Sequence, residues 1–163
     1  MLPPPCDHHQ PPGSRPGRQA AGSDEPQTWP AAAFHLDLVA EPAALSLIRD
    51  RLREWLRAHQ WPDAELEDLI LAVNEAASNV VDHAYPPGVC GNIEINGHVA
   101  IASDGARVTE LTVRDRGRWR LTPAQSQNRR RGIPLMRAVV ADLIINGTDR
   151  GTSVTMRGWS TGR

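Results

Sequence analysis

Glu75 and Asn79 flank the run Ala76-Ala77-Ser78, so on a helix they lie one turn apart on one face. A carboxylate placed there can orient or deprotonate an attacking hydroxyl. An amide carbonyl oxygen beside it can bind Mg²⁺ while the ion keeps waters and bridges phosphates. The plain alternative is a solvated helix face, the common fate of charged and amide side chains. The two alanines and the serine weigh against it, because small side chains let another group approach the helix closely.

Three further clusters have matching chemistry. Asp115-Arg116-Gly117 ends a strand: the carboxylate can accept a hydrogen bond from the exocyclic amino group of adenine, and the glycine lets a ligand come near the backbone. Read alone, it is also an ordinary turn. Arg129-Arg130-Arg131-Gly132 runs into a helix, where guanidinium groups and unpaired N–H groups suit phosphate; the alternative is a charged loop with a glycine hinge. Gly151-Thr152 opens a strand and offers a hydroxyl.

The elements that must position these groups follow from periodicity. Phe34 to Leu38 alternates as a half-buried strand does. Pro42 suits the first position of a helix, whose stripe is Leu45, Ile48, Leu52, Trp55 and Leu56. A second helix is expected from an Asp63 N-cap, with acids in its first turns, to a stop at Pro86-Pro87. Leu66, Leu69, Ile70, Val73, Ala77, Val80 and Ala84 form its apolar face, with Glu75, Asn79 and Asp82 opposite. From Asn92 the period changes to two, through Ile93, Ile95, Val99 and Ile101, then an Asp104-Gly105 turn and a strand over Val108 to Val113. Asn96-Gly97 leaves open whether the strand continues or reverses. Residues 116–131 read as an Arg-rich loop, Ile133 to Ala141 as a short helix, and Leu143 to Asn146 and Thr152 to Met156 as closing strands about an Asp149-Arg150-Gly151 turn. This order suits a two-layer α+β sandwich.

Composition narrows the function classes. The chain has 163 residues, enough for one core and one domain: a Pro-rich disordered tail over 1–30, a folded domain over 31–158 and a frayed end over 159–163. All 18 basic residues are Arg; without lysine a Walker-type phosphate loop is excluded. The net charge of -1, with no recognition motif accompanying the Arg114–Arg120 and Arg129–Arg131 clusters, argues against direct nucleic-acid binding. Cys6 and Cys90 have neither a disulfide-framework nor a metal-ligand spacing. Cys6-Asp7-His8-His9, in the tail, is read as solvated and not as a metal clamp. No export signal or membrane span of ~18 apolar residues is present, so a cytoplasmic protein is expected.

Taken in order, these motifs resemble the GHKL superfamily, specifically the anti-sigma-factor serine/threonine kinases of the RsbW and SpoIIAB type, over about residues 34–157. The stretch from Glu67 to Tyr85 looks like that family's N-box helix. The resemblance implies a Bergerat-type fold: a two-layer sandwich whose mixed, mostly antiparallel sheet is covered on one face by helices. It implies that ATP and Mg²⁺ are bound, with Glu75 as catalytic base, Asn79 as magnesium ligand, Asp115 as the adenine-binding acid and Gly117 as its companion glycine. Arg131 and Gly132 would face the phosphates, and Thr152 would hold the adenine end. The implied partners are an anti-anti-sigma protein, which accepts the phosphoryl group, and a sigma factor, which is sequestered; the exposed face of the first helix offers a homodimer surface. Trp119 stands where many members have a second glycine, and Gly132 where others carry several. The alternative reading is a partner-binding protein of the same fold without phosphotransfer.

Overall fold

The computed structural model describes residues 33–101, 106–118 and 125–160, with only the backbone described over 125–131. The 1–30 tail, the Asp104-Gly105 turn, Trp119 and the side chains of Arg129, Arg130 and Arg131 lie outside the described residues.

Five strands, β1 (Phe34–Val39), β2 (Asn92–Ile101), β3 (Arg107–Asp115), β4 (Asp142–Thr148) and β5 (Gly151–Ser160), form one open sheet in the order β1-β2-β3-β5-β4. Every neighbouring pair is antiparallel. Three helices, α1 (Pro42–Ala58), α2 (Asp63–His83) and α3 (Gln125–Val139), complete the α+β fold. The two-residue period sends Thr109, Leu111, Val113 and Asp115 of β3 inward. Thr152, Val154 and Met156 of β5 are buried in the same way. Asp115 is therefore the last member of a buried row in which the two residues before it, Leu111 and Val113, are apolar.

β2 runs straight through Asn96-Gly97. Gly97 pairs with Phe34 in β1 and with Leu111 in β3. A Cβ there would stand 2.6 Å from Leu111 Cδ2 and 3.3 Å from Phe34 Cβ. The glycine makes room for packing, above all for the Phe34–Trp55 ring pair at 5.2 Å, and does not make a turn.

On α1, Ala44, Ile48, Leu52 and Leu56 are buried. The helix closes with Gln60 N–H donating to Arg57 O and Trp61 N–H to Leu56 O, Gln60 taking the left-handed φ of 55°. On α2 all seven expected core residues are buried. Asp63 is the first helical residue and not the cap: Pro62, with extended ψ, holds that place and offers no side-chain cap. Ala72 and Ala76, outside the expected stripe, are buried too, because α2 is covered by α1 on one side and by α3 on the other.

Arg53 crosses from α1 to Glu67 of α2 with two hydrogen bonds of 3.1 Å. That hydrogen bond, helped by the positive charge of Arg53 and Arg57 and opposed by desolvation, holds the Glu67 carboxyl below its ordinary value. A depressed carboxyl contributes stability above its unfolded value of about 4.3 and loses it as pH falls through the folded value. Both side chains are partly exposed, so the pair is worth about 0.5 kcal/mol. Chemical denaturation of Glu67→Gln should show that loss at pH 7 and none near pH 3; equal losses at both would mean that the charge is irrelevant.

The helix expected over 133–141 begins earlier, at Gln125, and ends at Val139, so part of the expected loop is helical. β5 continues to Ser160, past the expected Met156. Cys90, in the exposed loop before β2, is disulfide-bonded, which the spacing of the cysteines did not suggest. No described helix is long and apolar enough to cross a membrane.

Candidate functional site

Glu75 and Asn79 sit half-buried on the side of α2 opposite its core stripe. Over them lies Gly132 of α3, buried: a Cβ at this position would be 3.1 Å from Glu75 Oε2 and 3.9 Å from Asn79 Nδ2. An added methyl would press on the Glu75 carboxylate and lie in ordinary contact with Asn79. α3 starts at Gln125, so Gly132 lies within the helix and not at its N-terminus; the expectation of orphan helix N–H groups at this glycine is corrected. The backbone of Arg131 lies within α3 as well. Two residues further, Pro134 interrupts α3 internally, since it has no N–H for the carbonyl four residues before it.

At the other end of α2, the Asp115-Arg116-Gly117 turn is fixed through three successive N–H groups. Arg116 N–H donates to Tyr85 Oη at 3.1 Å, Gly117 N–H to Asp115 Oδ1 at 2.9 Å and Arg118 N–H to Ala84 O at 2.8 Å. Asp115 is 2 % exposed, and its Oδ1 also accepts from Thr152 N–H at 3.3 Å. The buried carboxylate thus joins β3 to β5 through backbone donors, which is how a charge at this depth is tolerated. Gly117 is required by the close approach of α2, because a Cβ would overlap Ala84 O. Gly151 has φ 131°, and a Cβ on it would overlap Asp115 O.

The fold therefore makes two groups, Glu75-Asn79-Gly132 and Asp115-Gly117-Thr152, linked by one helix. From Asn79 to Ala84 is about 7.5 Å along the axis, and from Glu75 about 13.5 Å, at 1.5 Å per residue. An extended ligand with a base at one end and phosphates at the other matches that separation. Among the described residues no three His, Cys, Asp or Glu side chains converge on a metal position. A single amide beside a residue without Cβ fits a cation such as Mg²⁺, which takes most of its oxygens from phosphates and water.

Sequence reasoning missed Ala84 and Tyr85 as anchors of the turn. A backbone carbonyl has no signature in sequence; the only tyrosine of the chain was a visible signal, standing directly after α2. Among the described histidines, His35 bonds Asn96 and His59 bonds Trp55 O, whereas His83 shares a cleft with Tyr85 and Arg118. Arg114 and Arg116 share a cleft with Asp37 and Glu94, so the basic surface is broken by acids at this point.

Comparison with known proteins bears on this geometry. The chain is similar over 82% of its length to the crystal structure of the RsbU and RsbW domains of Rv1364c from Mycobacterium tuberculosis, with 28% identity and a TM-score of 0.63. It also aligns over 69% of its length with the histidine kinase domain of the Erythrobacter litoralis EL346 blue-light activated histidine kinase, at 17% identity and a TM-score of 0.45. The chain spans 34% and 59% of those two chains respectively. The family described as the histidine kinase-like ATPase domain matches residues 38–158. With three quarters of its length inside that match, and with the sheet and helices the GHKL resemblance implied, the chain belongs to the histidine kinase-like ATPase domain family.

Proposed function

We propose that the protein binds ATP with Mg²⁺ and acts as a serine/threonine kinase of the anti-sigma type. It would phosphorylate an anti-anti-sigma protein and sequester a sigma factor in the cytoplasm. The carrying observation is that α2 holds Glu75 and Asn79 against Gly132 on one side and anchors the Asp115 turn through Ala84 at its end. In this reading Asp115 accepts from the adenine amino group, Gly117 lets the base approach, and Thr152 supports that end. Asn79 offers an oxygen to Mg²⁺, which neutralises phosphate charge, and Arg131 and Gly132 face the phosphates. Glu75 takes the proton of the attacking Ser or Thr hydroxyl as its oxygen bonds to the γ-phosphorus, the bond to the β–γ bridging oxygen breaks, and ADP leaves. The added charge would weaken the acceptor's grip on its partner. The similarity to an RsbW-containing structure supports the partner-switching part of the reading.

Titration with a fluorescent ATP analogue, with and without Mg²⁺, tests it. Saturable binding that strengthens with Mg²⁺ is expected, and in Asn79→Ala that strengthening should fall by about tenfold, the weight of one lost oxygen ligand. No saturation at millimolar nucleotide would overturn the kinase reading and leave a sequestering protein of the same fold.

A further inference from the structure

Tyr85 follows the last turn of α2, and both capacities of its hydroxyl are used. Its O–H donates to Asn92 O at 2.7 Å, at the start of β2, while its oxygen accepts from Arg116 N–H at 3.1 Å, inside the turn that carries Asp115. The ring is packed so closely on Gly91 that a Cβ there would overlap it. One side chain thus ties the end of α2, the entry to β2 and the residue next to the buried acid. Of the three successive N–H groups in the turn, two are held by the two residues that follow α2, Ala84 and Tyr85, and one by Asp115 itself. The Arg116 bond alone uses a hydroxyl that can be deleted without altering packing.

We infer that Tyr85 is a positioning residue for base recognition: its hydroxyl sets the register of the turn, and with it the direction of the Asp115 carboxylate toward the ligand's base. This rests on the reading of Asp115 as the base-binding acid. Tyr85→Phe keeps the ring against Gly91 and removes both hydrogen bonds, which lie near the surface where water can replace them. The fold should survive while the turn loosens. The loss should then fall on discrimination between bases, because an acceptor reads the adenine amino group only in the right direction, whereas phosphate contacts at Asn79 and Gly132 are untouched.

The test measures dissociation constants for ATP and GTP, with excess Mg²⁺, by competition with a fluorescent ATP analogue, together with thermal midpoints. Four proteins are compared: parent, Tyr85→Phe, Asp115→Asn and Thr109→Val. Thr109 is buried on β3 far from the turn and donates to His98 O at 2.9 Å, so its variant reports a lost hydrogen bond without a role at the site. Asp115→Asn keeps the shape and replaces one acceptor by a donor. The expected result is that Asp115→Asn abolishes the preference for ATP, Tyr85→Phe lowers it about tenfold, the scale of one to two net hydrogen bonds, and Thr109→Val leaves it unchanged. Loss of preference in Asp115→Asn with parental preference in Tyr85→Phe would overturn the inference and leave the site reading standing. An equal drop in Thr109→Val would overturn it too, by making the effect one of general stability. Unchanged preference in Asp115→Asn would overturn the base-binding reading, and the role of Tyr85 with it.

Discussion

Replacing Glu75 by Gln should slow phosphotransfer by about 10²–10⁴-fold, the usual weight of a general base, while nucleotide affinity stays within about threefold of the parent. Gln keeps the length and planar end of the side chain, so its contact with Gly132 and the packing between α2 and α3 persist. What disappears is the ability to accept a proton. Single-turnover ADP formation in the presence of a candidate anti-anti-sigma acceptor reads the rate, and analogue titration reads the affinity. Equal loss of both would mean that Glu75 supports the site's shape; a parental rate would remove it from the chemistry altogether.

Gly151→Ala should cost about 2–4 kcal/mol of stability, since a φ beyond the range of alanine and a collision with main chain act together. The residue has φ 131°, and the added methyl would overlap Asp115 O. Gly147, in β4 just before the same turn, is the control: nothing lies within 4 Å of its Cβ position and its φ is not positive. Gly147→Ala should therefore stay within about 0.5 kcal/mol of the parent, as surface changes do. Urea midpoints for the two variants decide the matter. If they were alike, Asp115 and Gly151 would not be in the close contact described.

The sequence legibly contained most of the scaffold because α1 and α2 bury whole stripes at the helical period. The row Leu111, Val113, Asp115 was equally readable, as a strand that ends in a carboxylate. Candidate site residues stood out where their types are costly to bury, as Asp115 is, or chemically particular, as Glu75 and Asn79 are. The start of α3 was not readable: Gln125 to Arg131 carries no apolar stripe, and Pro134 imitates a helix beginning. Asn96-Gly97 left the strand's path open for another reason, because the use of Gly97 as space depends on Trp55 and Phe34, which reach it only in three dimensions. The anchoring role of the Ala84 carbonyl was silent until the path of residues 116–118 across it was known, whereas Tyr85 was visible as a lone tyrosine without a stated partner.

The strand order sets when the surroundings of Asp115 are assembled. β5 follows β4 in the chain yet lies between β3 and β4, and it supplies Thr152, whose N–H holds Asp115. A growing chain that has finished α2 and α3 already carries Glu75, Asn79 and Gly132, but β3 still lacks a neighbour on one side and Asp115 lacks one of its donors. If Asp115 binds the base as proposed, that end of the site is complete only once β5 has slotted between β3 and β4.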